Sequence, residues 1–151
     1  NLGKILELTE GAGWLGLSLT YYFLAESYLG QGHVKYAEKA GQEAMDLAIQ
    51  SGAQEHLGAA WRVLGKIASQ KGEDVMVIDE LQNASSCFNQ SSEIFREVGA
   101  DDELALTLRP WARHELENGD EETGEKMWEE AKEIFQRLGM PAEVERMEKS
   151  K

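Results

Sequence analysis

Apolar residues recur along this chain at intervals of three and four, the spacing of one face of an α-helix, and glycines interrupt them at regular distances. From Trp14 to Leu29 the apolar positions are 14, 17, 21, 24, 25, 28 and 29, and Gly32 follows as a helix stop. A second helix is predicted from about Val34 to Gln50, with the small residues Ala37, Ala40, Ala44 and Ala48 and with Leu47 facing inward. A third opens near Gln54, holds Leu57, Ala60, Trp61, Leu64, Gly65 and Ala68, and stops at Gly72. The next stretch, Glu73 to Glu80, loses the helical period. Its Val75-Met76-Val77-Ile78 run reads as an insertion of loop or strand-like arm, or as an extension of the following helix. That helix is predicted from about Leu81 to Val98, with Ala84, Phe88, Ser91, Ile94 and Phe95 inward. Asp101 is a good N-cap for a helix carrying Leu104, Leu108, Trp111, Ala112 and Leu116. Pro110 falls inside it, which predicts a kink rather than a break, because the apolar pattern continues beyond. A helix from about Glu122 to Leu138 follows, and Pro141 opens a short last one with Val144 and Met147 on its apolar side.

The pattern is a repeat. Gly11-Ala12, Gly52-Ala53, Gly99-Ala100 and Gly139-Met140 close successive units at separations of 41, 47 and 40 residues, and Gly32, Gly72 and Gly119 form a second comb between them. An aliphatic residue stands five places before each closing glycine: Leu6, Leu47, Ile94 and Ile134. Helix pairs at such a period stack into a solenoid. The expected architecture is therefore all-α, one domain over 1–151. It comprises helix pairs at 13–52, 54–99 and 101–139, the end of a preceding helix at 1–10, and a capping helix at 141–151. The absence of an initial Met and the truncated first helix suggest a piece of a longer protein. Leu2, Ile5, Leu6 and Leu8 would then present apolar surface able to drive self-association.

Charge narrows the range of partners. The chain of 151 residues carries 15 Lys+Arg against 28 Asp+Glu, a net charge of −13, which disfavours nucleic acid and anionic membranes. No apolar run approaches the roughly 20 residues of a membrane span. One cysteine, Cys87, excludes an internal disulfide and suits a reducing cytoplasm.

Each unit resembles a tetratricopeptide repeat. The residues that carry the resemblance are Tyr21, Leu24, Ala25, Tyr28, Ala37 and Ala44 in the first unit, and Trp61, Leu64, Gly65, Ala68, Ala84 and Phe88 in the second. In the third they are Leu108, Trp111, Ala112, Trp128 and Ala131. Gly41, Ser91 and Gly124 depart from the pattern, and the units are longer than its 34 residues, as in the C-terminal repeats of large bacterial signalling proteins. The resemblance implies a right-handed superhelix whose first helices line a concave groove. The residues one and five places after each initial aromatic or Leu would face that groove. They are Tyr22 and Glu26, then Arg62 and Lys66, then Arg109 and Arg113. Arg62, Lys66, Arg109 and Arg113 would clamp an acidic peptide, a C-terminal carboxylate or a small anion, with Tyr22 as an apolar contact. The alternative is that these cations pair with nearby acids, Arg113 with Glu117 for example.

No phosphate-binding loop, metal-ligand spacing or nucleophile–base signature appears. His33, His56 and His114 read as surface residues, Cys87 and the tryptophans as core, and the acidic runs as solvated faces. The expected function is a non-catalytic protein-interaction module without cofactor or metal, scaffolding within a larger signalling protein. A small-ligand sensor and a structural spacer or dimerisation segment are the alternatives.

Overall fold

The computed structural model describes residues 13–150, with side chains from Gly16 onward. The readings at 1–10, including Leu2, Ile5 and Leu6, lie outside the described residues. Seven helices and one hairpin follow in order among them. They are α1 (Gly13–Gly30), α2 (Val34–Ser51), α3 (Gln54–Lys71), β1 (Val75–Val77), β2 (Glu80–Gln82), α4 (Ala84–Val98), α5 (Asp101–Asn118), α6 (Glu121–Arg137) and α7 (Pro141–Ser150). Consecutive helices pack as the pairs α1–α2, α3–α4 and α5–α6, each joined to the next by α2–α3 and α4–α5 contacts. The first helices also touch one another, α3 meeting both α1 and α5, and α7 closes against α6. Among the described residues no helix is long and apolar enough to cross a membrane.

The glycine combs mark where the helices stop. Gly32, Gly52, Gly72, Gly99 and Gly139 all have φ between 69° and 81°, a left-handed conformation that an L side chain resists. Gly52, Gly72 and Gly99 each donate a backbone N–H to a carbonyl of the last turn, which satisfies part of the acceptors a helix end leaves open. Asn83 and Asp120 do the converse work at the starts of α4 and α6, their side chains accepting from Ser86 N and from Glu122 N and Thr123 N.

Small residues set the distance between helices. Gly41 of α2 sits where a Cβ would lie 3.0 Å from Leu64 Cδ2 of α3. A Cβ on Gly65 would meet the Phe88 ring at 2.9 Å, and one on Gly124 would meet backbone of α5, Leu116 N at 3.0 Å and Ala112 O at 3.1 Å. Ser91, entirely buried, donates through Oγ to the Gly58 carbonyl at 2.8 Å and shares a 3.0 Å hydrogen bond with Thr107. The three departures from the repeat pattern are thus close-packing positions. Two apolar clusters result. One joins α1–α4 and the hairpin around Leu64, Ile67, Val75 and Phe88, and the other joins α4–α7 around Phe95, Leu108, Phe135 and Met147. Trp111 touches both.

Two sequence expectations resolve in detail. The 73–80 insertion is an antiparallel hairpin, pairing Val75 with Gln82, Met76 with Leu81 and Val77 with Glu80, so α4 begins at Ala84 rather than Leu81. Val75 and Val77 are buried and drive the strand onto α2 and α3, while Met76, Ile78 and Leu81 stay exposed. The helix carrying Pro110 runs without a break from Asp101 to Asn118.

Candidate functional site

The row of first helices brings the predicted cations and tyrosine to one side of α1, α3, α5 and α7, but mostly as pairs. Arg62 is only 5% exposed. Its Nη1 donates to Glu103 Oε2 at 2.7 Å, to the Glu103 carbonyl at 3.3 Å and to Thr107 Oγ1 at 3.4 Å. Its Nη2 donates to the Tyr22 hydroxyl at 2.9 Å, and the guanidinium lies 5.6 Å from the ring centres of Tyr22 and Phe95. Burial opposes the Arg62 charge, but Tyr22 and Glu103 outweigh it and hold its pKa above the ordinary arginine value. Burial likewise raises the Tyr22 phenol, against the lowering pull of Arg62. Arg62 therefore belongs to the wall between three helices, and Tyr22 is its hydrogen-bond partner rather than a bare apolar contact.

The same device recurs one unit on. Arg109 of α5 donates to Glu143 of α7, whose other oxygen accepts from Arg146 at 2.8 Å, and the Arg109 guanidinium sits 5.3 Å from the Phe135 ring centre. Glu103 and Glu143 are each the third residue of their helix, so an arginine on one first helix reaches the opening turn of the next. There the helix N-terminus also favours a carboxylate. The sequence reading missed these acids because they lie 41 and 34 residues from their arginines. Their shared place, third in a helix, was the available signal.

Lys66 and Arg113 are held less tightly. Lys66 Nζ contacts Glu26 Oε2 at 2.7 Å with its side chain one-third exposed. Arg113 is exposed, donates to Ser150 Oγ at 3.0 Å and lies 5.8 Å from the Trp128 ring centre; this hydrogen bond goes to α7, not to Glu117. Between them, α3 and α5 enclose an open cavity of about 190 Å3 whose polar lining includes Lys66, Ser69, Gln70, Arg113, His114 and Glu117. Ser69 Oγ and His114 Nδ1 are 2.8 Å apart at its wall. His114 is thus half-buried and engaged, contrary to the surface reading. His56 is also half-buried, with an Nδ1 that has no hydrogen-bond partner, and only His33 is exposed.

Glu115, one residue beyond His114, ties three segments together. It accepts from Ser85 Oγ, from Trp111 Nε1 at 3.2 Å and from Asp120 N at 3.1 Å. Its partial burial alone would raise the pKa, but these hydrogen bonds and the nearby His114 lower it below the ordinary glutamate value. Cys87 is fully buried, and burial with the Asp74 charge pushes its thiol up to about 12. It is a packing residue, since the thiolate is the nucleophile and is absent at neutral pH. Among the described residues no three His, Cys, Asp or Glu side chains converge to hold a metal ion. No family model, no curated protein and no solved structure matches this chain.

Proposed function

We propose that this chain is a non-catalytic interaction module, a right-handed solenoid of the tetratricopeptide type serving within a cytoplasmic regulator, that binds an acidic peptide segment along its row of first helices. The single observation that carries this reading is the α3–α5 cavity, where Lys66 and Arg113 stand together beside the polar side chains of Ser69, Gln70 and His114, with Glu117 also on the lining. Arg62 and Arg109 do not line it; they tie neighbouring helices together through Glu103 and Glu143. Lys66 and Arg113 meet the ligand, because their own side chains reach solvent, Lys66 one-third exposed and Arg113 exposed, whereas Arg62 is buried. The overall charge of −13 opposes such a ligand at long range. At physiological salt, charges beyond about 8 Å are screened, so the local cations decide at contact.

The test is titration of a short poly-glutamate peptide, blocked at both ends, into the wild type and into Arg113→Glu. Binding by the wild type and at least tenfold loss in Arg113→Glu, with unchanged circular dichroism, supports the reading. Absence of binding, or equal affinity in both, overturns it. Glutarate is titrated in parallel. Binding of this single dicarboxylate without the peptide would instead favour a small-ligand sensor, for which a cavity of about 190 Å3 is the right scale.

A further inference from the structure

The cavity between α3 and α5 has a neighbour of opposite charge. This second cavity lies nearer the C-terminal ends of the same two helices, holds about 230 Å3, and is lined in part by Gly72, Glu73, Asp74 and Asn118. Ser69 and His114 line both cavities, so their 2.8 Å contact forms the wall between them. On one side of that wall stand Lys66 and Arg113, on the other Glu73 and Asp74. The helix ends add to the contrast. α3 stops at Lys71 and α5 at Asn118, and the carbonyls of a last helical turn carry partial negative charge. Asn83, at the start of α4, lines the second cavity too, but its side-chain oxygen already accepts from Ser86 N. Among the described residues on this lining only His114 can carry a positive charge. Lys71 Nζ is 3.9 Å from Glu73 but nearer, at 3.1 Å, to Glu38, and Asp74 pairs with no cation among the described residues. Both Glu73 and Asp74 are exposed to solvent and open to a ligand.

We infer that the peptide bound between α3 and α5 is dipolar: it carries a basic side chain at a set distance from its acidic one. The carboxylate meets Lys66 and Arg113, and the ammonium or guanidinium group enters the cavity of Glu73, Asp74 and Asn118. The inference deepens the proposed function and rests on it. Helical rise sets the distance. Glu73 follows Lys66 by seven residues, which is roughly 10 Å along a helix. An extended peptide advances about 3.3 Å per residue, so its basic residue stands about three places from its acidic one. The backbone between them crosses Ser69 and His114, whose polar side chains suit a peptide group. Reversed placement would set like charges together at both ends, so the two halves also fix the orientation of the ligand.

Calorimetric titration of two blocked peptides, Glu-Gly-Gly-Lys and Lys-Gly-Gly-Glu, tests this, each beside a counterpart with norleucine in place of lysine. In the better-binding chain direction, the wild type is expected to prefer lysine over norleucine by about fivefold or more. Glu73→Gln/Asp74→Asn should abolish that preference, leaving circular dichroism and the affinity for the norleucine peptide unchanged. The net charge of −13 attracts any cation, so a control with the same change in charge is needed. Glu129→Gln/Glu133→Gln, at exposed positions of α6, should keep the preference. Equal binding of lysine and norleucine peptides, both weakened by Arg113→Glu, would overturn the inference and leave the acidic-ligand reading standing. A preference that survived Glu73→Gln/Asp74→Asn, or fell equally in the α6 control, would overturn it as an effect of overall charge. Binding untouched by Arg113→Glu, or no binding of any peptide, would overturn the acidic-ligand reading and this inference with it.

Discussion

Arg62 is a long cation placed where the packed helix pairs leave almost no water, and its surroundings explain how it can stay there. Four acceptors on three residues, Glu103, Thr107 and Tyr22, take its hydrogens, and two aromatic rings flank its plane. Removing one partner of a wholly buried ion pair costs about 3–5 kcal/mol, because the remaining charge is stranded. Glu103 is one-third exposed and can be rehydrated, so the loss is smaller. Arg62→Met is expected to lower stability by about 2 kcal/mol, measured as a fall in the urea midpoint at unchanged slope. Arg113→Met, at an exposed position, should fall within about 0.5 kcal/mol of wild type. Equal effects would mean that Arg62 is not the anchor described. The sequence placed both arginines on first helices, one helical face apart from the core, and could not separate them. Their difference comes from Glu103 and Thr107, which only the packing of α5 against α3 brings within reach. A charge reversal at Arg62 would accordingly test folding before it tested binding.

At the scale of elements, the hairpin is where the repeat is broken and where the chain carries local strain. Its two turn residues, Ile78 and Asp79, have φ of 50° and 64°. A two-residue hairpin turn with both φ values positive is best served by Asn-Gly. A β-branched side chain in the left-handed region costs about 1–2 kcal/mol. The strand pairing and the burial of Val75 and Val77 hold Ile78 in place despite that cost. Ile78→Asn/Asp79→Gly should therefore stabilise the protein by about 1 kcal/mol, read as a rise in the thermal midpoint; no rise would show that the turn is not strained. The same turn explains why the insertion was illegible. Ile-Asp gives no hairpin signal, and the alternation Val-Met-Val is too short to distinguish a strand from a helix end. By contrast α1 to α6 were legible, because each carries several turns of period and a glycine stop. That the helix does not break at Pro110 was legible as well, and α5 continues through it because Leu104, Leu108 and Ala112 on one face are buried on both sides of the proline.

The molecule as a whole is a stack in which each pair leans on the next, so a group that ties neighbouring units together acts on all of it. Glu115 is such a group, linking α5 to Ser85 at the start of α4 and to Asp120 at the start of α6. The repeat comb located the ends that Glu115 joins but not the residue itself, which in sequence is one carboxylate within a long acidic run. Its pKa in the folded chain lies below the ordinary value, so the unfolded chain takes up its proton first. The stabilisation it contributes is complete above the unfolded glutamate pKa, near 4.3, and disappears as the pH falls through the lower folded value. Asp120 is shifted in the same direction, chiefly by its hydrogen bonds from Thr123, and adds to the acid sensitivity. Glu115→Gln keeps the shape but not the charge. Urea midpoints of the wild type and Glu115→Gln, measured from neutral pH down to strong acid, should differ most at neutrality. They should converge below the ordinary carboxylate range, as the wild-type carboxyl becomes protonated and resembles the amide. A gap that stays constant with pH would mean that the Glu115 hydrogen bonds do not depend on its charge. A gap that widened in acid would reverse the sign of the linkage and contradict the lowered pKa.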